Sequence, residues 1–422
     1  MSTRPRYWCP PSGRVTLDGG GFLVEPGHPF GVDQTLEAYD EIDVHPCLVL
    51  LGEPGIGKTT EVARAVAAAG TIGYRVDLGE VADAEGLRRR VVDAPEVAAW
   101  RDGEGELVLF LDAFDEALAE RGALARVLIA ELADLPLERM RLRIACRTAD
   151  WPATLTLRLS GLFEQPREYE LQPLTREDVI AAAQEAGVDA EAFVGAAVDR
   201  GAGPLARVPL TLRFLLDSYA RGGSLPARRA DLYRDGCVEL CREHNVSRLE
   251  TGRAGALAPE ERLAIAERIG AAVVLVGRGA VRRRGHGSEP TVAELAELDG
   301  GGEMTDAALV AVSSEVAVDQ RRLEETLASG LFTSRGGDLL GFAHHSYGEF
   351  LAARYLHRHR FDVRRALNLL AQERGGRQRI IPQLAGVAGW LADLDVDFLD
   401  WLIANCRTQA GGSADRGLVA EG

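Results

Sequence analysis

Apolar residues run unbroken at Cys47-Leu48-Val49-Leu50-Leu51 and again at Leu107-Val108-Leu109-Phe110-Leu111. A half-exposed strand would alternate, so runs this short and pure predict parallel strands covered on both faces. Thr71–Leu78, Arg141–Cys146 and Glu168–Leu171 read as further strands. Between them the apolar spacing changes to three and four, which predicts helices over Thr59–Ala69, Asp83–Trp100 and Ala117–Leu135. Strand and helix alternating in this way predict a three-layer α/β domain around a parallel sheet.

From Thr175 only the helical period remains. Thr175-Arg176-Glu177-Asp178 forms a capping box that opens a helix through Val179–Ala186, and Leu210–Tyr219 continues in the same spacing. Leu225-Pro226 breaks the chain before helices over Arg229–His244 and Leu263–Val276, and Arg282–Pro290 is a polar loop. Leu323–Leu331 is helical and runs into Phe332–Phe342, where Arg335-Gly336-Gly337-Asp338 between apolar flanks reads as a hairpin turn. With the helix Tyr347–Tyr355 behind it, this pattern suggests a winged helix. Residues 365–405 read as helical, with Trp390 and Trp401 as core anchors, and the pattern fades over Thr408–Gly422. The expected organisation is a lead-in segment draped on its neighbour (1–46), an α/β domain (47–173), a helical domain (174–224) and a winged-helix-containing domain (225–364). C-terminal helices that begin a helical repeat and end in a disordered tail (365–422) complete it.

Composition narrows the class. Aromatic residues make up 6% of the 422, which favours helices around a parallel sheet over a β-sandwich. The formal charge of −16 argues against a broad electrostatic grip on nucleic acid or an anionic membrane. Six scattered cysteines form no disulfide framework, the N-terminus has no apolar leader, and no long apolar span appears. A soluble, cytoplasmic protein is expected.

The chemistry centres on Gly52-Glu53-Pro54-Gly55-Ile56-Gly57-Lys58-Thr59, which matches the phosphate-binding pattern G-x-x-x-x-G-K-[ST] and is followed by Thr60. Lys58 is the only lysine, so the other 47 of the 48 basic residues are arginine. A compact ammonium enters a backbone cradle where a planar guanidinium is too wide. The strand before this loop and the helix after it supply the context that the pattern requires. The strand Leu107–Leu111 ends in Asp112, placed to hold Mg²⁺ together with Thr59. Asp115 or Glu116, just past the tip, is the acid that would polarise an attacking water. Arg147, at the end of the fourth strand, stands where a γ-phosphate sensor would lie. Cys237, Cys241 and His244 are spaced for a core stripe rather than a metal site.

Together these stretches resemble the NACHT branch of the signal-transduction ATPases, whose second motif has a small residue after its first Asp and an acidic pair two residues on. Leu109-Phe110-Leu111-Asp112-Ala113-Phe114-Asp115-Glu116 and Ala145-Cys146-Arg147 carry the likeness, as does Leu171-Gln172-Pro173-Leu174-Thr175 at the start of the helical domain. Val208-Pro209-Leu210 resembles the proline turn that touches adenine, although Arg207 stands where relatives often have glycine. Gly341-Phe342-Ala343-His344-His345-Ser346-Tyr347-Gly348-Glu349-Phe350-Leu351-Ala352-Ala353 resembles the winged-helix histidine motif. By position His344 matches the residue that contacts the β-phosphate of ADP, with His345 as its competitor.

The resemblance implies an ASCE/AAA-like fold, ATP/ADP and Mg²⁺ as ligands, and a slow, regulatory ATPase that is closed on ADP and open on ATP. It further implies homo-oligomerisation on activation, unidentified trigger and effector proteins, and a role in bacterial defence against phage. An oligomeric AAA-type motor and a nucleotide-binding adaptor without turnover are the alternatives.

Overall fold

The computed structural model describes residues 4–29, 31, 33–81, 83–115, 122–243, 255–283, 290–297, 318–335, 338–374 and 377–413. The chain divides into two compact units, Met1–Leu225 with Glu243–Ala256, and Pro226–Arg242 with Leu257–Gly422.

In the first unit, strands β1 (Tyr7–Cys9), β2 (Glu37–Ala38), β3 (Cys47–Leu51), β4 (Gly73–Asp77), β5 (Leu107–Asp112), β6 (Met140–Cys146) and β7 (Arg167–Leu171) form one sheet. Their order is β2-β1-β7-β3-β6-β5-β4. The five strands from β7 to β4 are parallel, and β1 is antiparallel to both β7 and β2. The purity of the central runs has a direct cause. Cys47, Val49 and Leu51 of β3 and Leu107, Leu109 and Leu111 of β5 face one apolar core, while Leu48, Leu50, Val108 and Phe110 face another on the opposite side. Both faces of these two strands are covered by apolar cores, so the period of two is invisible in their sequence.

Helices α1 (Tyr39–Ile42), α2 (Lys58–Ala69), α3 (Ala84–Val91), α4 (Pro95–Asp102), α5 (Gly122–Ala133) and α6 (Ala153–Leu159) accompany these strands. α7 (Arg176–Glu185), α8 (Ala190–Asp199), α9 (Gly203–Ala206) and α10 (Pro209–Gly222) follow the sheet. The capping box on α7 is formed, because the Asp178 N–H donates to Thr175 Oγ1 at 3.1 Å and the Thr175 N–H donates to Asp178 Oδ2 at 2.9 Å.

Two expectations need correction here. The single helix over Asp83–Trp100 is two, α3 and α4, because Pro95 has no N–H to continue a ladder and instead starts the second helix. The 1–46 segment does more than drape. β1 and β2 extend the sheet at its β7 edge, and the Trp8 side chain is fully buried.

The second unit contains α11 (Arg229–Cys241), α12 (Pro259–Val274), β8 (Val281–Arg282), α13 (Val292–Glu297), α14 (Gln320–Leu327), β9 (Phe332–Ser334), β10 (Leu339–Phe342) and α15 (His345–Arg358). The strands pair in the order β8-β10-β9. Among the described residues the order is helix, strand, two helices and a strand pair with one more helix behind, which is compatible with the winged helix expected from the sequence. The Gly336-Gly337 turn lies outside the described residues. Cys237 and Cys241 are fully buried in this unit's core, and His244 lies outside the described residues.

The C-terminal part is α16 (Val363–Leu370), β11 (Ala371–Arg374), β12 (Arg377–Ile380), α17 (Ala385–Leu394) and α18 (Val396–Ser413). The stretch 365–405 is therefore not continuously helical, since β11 and β12 form a hairpin within it. Helix α18 also carries the chain through Thr408–Ser413, past the point where the apolar pattern fades, and residues 414–422 lie outside the described residues. Trp390 is buried against Tyr233 and Phe350, with the Arg229 guanidinium 3.6 Å over its ring. Trp401 is half-buried beside Phe398. No helix among the described residues is long and apolar enough to cross a membrane.

Candidate functional site at the phosphate loop

The glycine loop joins β3 to α2, and its backbone explains its glycines. Gly55 (φ 77°) and Gly57 (φ 101°) lie in the left-handed region that side chains disfavour. Gly57 is the N-cap of α2, and no side chain caps that end of the helix. The positive end of the helix dipole and its first N–H groups are thus presented to an anion. The Lys58 ammonium lies within the loop and donates to the carbonyls of Gly52 and, at 3.1 Å, Glu53. Burial lowers its pKa from the ordinary lysine value, and Asp115 opposes that shift. Ile56 is buried beneath the loop, while Thr59 and Thr60 occupy the first turn of α2.

β6 lies between β3 and β5, so the tips of three strands meet at this end of the sheet. Alternation places Asp112 on the same face as Val108 and Phe110, which is the face that α2 covers through Val62 and Ala65. Ala113 then turns through a left-handed conformation (φ 55°), which a small side chain tolerates best outside glycine. Beyond this turn Asp115 accepts from Arg147 Nε at 2.9 Å. Arg147 also pairs with Glu243 of the same unit at 3.6 Å. Lys58, Asp115 and Arg147 are thus brought together, with the buried Cys146 beside them. Burial, reinforced by Asp115, pushes the Cys146 thiol well up, so it is inert. Glu116 lies outside the described residues.

Asp112 and Thr59 supply hard oxygen donors on the α2 side of the sheet, a donor set that fits Mg²⁺. Asp112 is itself held, since Oδ2 accepts from Arg75 at 2.6 Å and Oδ1 from the Ala113 N–H at 2.9 Å.

On the outer side of the loop, the turn at Pro209 packs against it. The Leu210 N–H donates to the Gly55 carbonyl at 3.4 Å, and the Pro209 ring lies 3.7 Å from where a Gly57 Cβ would stand. Arg207 is buried and donates to the Gly21 carbonyl at 3.4 Å.

Sequence reasoning missed Arg6. Its buried guanidinium donates to Ile56 O at 3.3 Å and to Gln172 O at 2.6 Å, tying the N-terminal segment, the loop and the start of the helical part together. Burial lowers its pKa, with Glu61 and Asp178 opposing the shift. The other omission is an acidic rim. Burial, and then Glu53 and Glu168, raise Glu170 at the tip of β7 to about 7. Nothing local in the sequence marks either feature.

His344 belongs to the second unit, where it is the N-cap of α15. The Ser346 N–H donates to its Nδ1 at 3.2 Å, which puts the proton of a neutral ring on Nε2. The His345 ring lies tilted beside it, with 4.1 Å between ring centroids.

A parallel sheet in which the β6 strand separates the glycine-loop strand from the strand ending in Asp112 defines a P-loop NTPase fold. No family model matches this chain, and no curated protein matches it. Among solved structures it is similar to the Walker-type ATPase PABY2304 of Pyrococcus abyssi, with 14% identity and a TM-score of 0.40, covering 74% of this chain and 92% of that one. It is also similar to the RuvB Holliday junction branch migration motor of Thermotoga maritima, with 17% identity and a TM-score of 0.33, covering 72% and 86%. The fold assignment rests on the chain's own strand order and loop.

Proposed function

We propose that this chain is an ATP-binding and ATP-hydrolysing switch of the NACHT type, closed on ADP and open on ATP, which controls oligomerisation and signalling in bacterial defence against phage. The observation that carries the reading is the packing of the Val208-Pro209-Leu210 turn onto the phosphate loop in the same unit as Lys58, Asp115 and Arg147. A turn seated on the loop carries the state of the nucleotide to the helical part.

In this reading the loop N–H groups and Lys58 hold the β- and γ-phosphates, and Pro209 lies against the base. Thr59 and Asp112 would hold Mg²⁺, which when bound would neutralise charge on the phosphates. Asp115 is committed to Arg147, so Glu116 is assigned to orient the water, and Arg147 senses the γ-phosphate. His344, with its proton on Nε2, donates to the β-phosphate of ADP in the closed state. Its partners are then a further copy of itself on activation and trigger and effector proteins in the cytoplasm.

The test identifies the nucleotide that co-purifies, measures particle mass with ADP and with ATP, and follows turnover. The switch requires bound ADP, a larger particle with ATP, and slow turnover that Glu116→Gln reduces by roughly 100-fold. A bond made in one state only is worth about 1.5–3 kcal/mol, so His344→Ala should release ADP roughly 10- to 100-fold faster. Fast continuous turnover would favour the motor, and no turnover with intact binding would favour the adaptor. Unchanged ADP release in His344→Ala would refute the closure mechanism.

A further inference from the structure

Arg75 lies on β4 and Asp112 on β5, and the register pairs Arg75 with Phe110 and Asp77 with Asp112. A period of two therefore turns Arg75 and Asp112 toward the same face of the sheet, the face that carries α2. Along that face the Arg75 side chain reaches the strand tip and donates from Nη2 to Asp112 Oδ2 at 2.6 Å. Its Nε is buried with no acceptor. The side chain of Arg75 is 31% exposed and that of Asp112 only 5%. The arginine thus has room to leave toward water, and the aspartate does not.

The carboxylate assigned to Mg²⁺ already carries a cation, and two cations on one buried carboxylate repel each other. We propose that Arg75 is a positioning residue that serves as the internal counter-ion of Asp112 and is displaced by the divalent ion. This inference rests on the nucleotide-site reading above. Without metal, the guanidinium cancels the charge that Asp112 would otherwise set against the phosphates. With metal, the guanidinium must move aside. The two effects oppose each other, so Mg²⁺ should change nucleotide affinity little. The site then accepts nucleotide in a metal-free mode as well as a metal-loaded one.

Calorimetric titration of the full chain with ADP, in Mg²⁺ and in chelator, reads this directly. In the wild type the two dissociation constants should lie within about tenfold of each other. In Arg75→Gln the metal-free constant should rise by roughly tenfold or more while the Mg²⁺ constant stays level or falls. Arg75→Lys should restore the wild-type ratio, and Arg75→Met serves as a second uncharged variant. Mn²⁺ affinity in the presence of ADP, read by electron paramagnetic resonance, should tighten in the uncharged variants. A purely structural arginine would weaken both constants alike and leave their ratio fixed. A ratio that is the same in wild type and both uncharged variants, or a lysine variant that behaves like glutamine, overturns the proposal. Failure of the wild type to bind ADP in either condition overturns the nucleotide-site reading as well.

Discussion

Replacing Arg147 tests whether the strand tips are held together by charge. Its side chain is 12% exposed, that of Asp115 is 9% and that of Glu243 is 15%, so all three charges lie largely out of water. Removing one member of a buried pair strands its partner, at a cost of about 3–5 kcal/mol. Lys58 remains near Asp115 and offsets part of this, which places Arg147→Met toward the lower end. For a unit of this size each kcal/mol lowers the melting temperature by about 2–4 °C, so the loss should be roughly 6–12 °C. The double variant Arg147→Met with Asp115→Leu removes both charges and should recover most of the loss. Glu243→Gln should cost less, because its contact with Arg147 is longer at 3.6 Å. Urea unfolding, analysed as a double-mutant cycle between positions 147 and 115, is the assay. A cost under about 1 kcal/mol for Arg147→Met, or a double variant less stable than either single, would refute the buried coupling.

Two further outcomes follow from the loop and its rim. Lys58→Arg should lose nucleotide affinity almost as fully as Lys58→Ala, by roughly 100-fold or more in calorimetry, because the guanidinium does not fit where the ammonium meets Gly52 and Glu53. Near-normal affinity in Lys58→Arg would show that the cradle is wider than its contacts imply. Glu170 is raised to about 7, so the folded chain keeps a proton that the unfolded chain has released from about pH 4.5 upward. Stability should therefore fall by roughly 1–3 kcal/mol as the pH rises from 5 to 8, and Glu170→Gln should remove that slope in thermal melts across the range.

The sequence was most legible where physics leaves few choices. β3 has the bounds expected of it and β5 differs by one residue, because central strands covered on both faces are built almost wholly of apolar residues, and β6 also differs by one residue although it carries Arg141 and the buried Arg143, both paired with Asp43. The glycine loop was readable for a similar reason, since its positive φ angles leave little but glycine. Elements stabilised from afar were not legible. β1 is three residues long and is defined by pairing with β7, and the β11–β12 hairpin is built mostly from Ala, Gln, Glu and Arg, which favour helices over strands. Arg6 meets Gln172 across 166 positions and Arg75 meets Asp112 across 37, distances over which no local pattern reports. Glu116 and the middle of the winged-helix segment fall outside the described residues.

The contact between Gly55 and Leu210 has a consequence for how sequences of this kind can diverge. A Cβ on Gly55 would stand 2.9 Å from Leu210 Cδ2, and the Leu210 N–H already holds the Gly55 carbonyl. Any side chain at 55 therefore requires a smaller one at 210, in addition to a backbone that accepts φ 77°. The loop and the first turn of α10 cannot drift independently, although 155 positions separate them. The two sites constrain each other, and a chimaera that brings a side chain at 55 while keeping Leu210 would force atoms to within 2.9 Å.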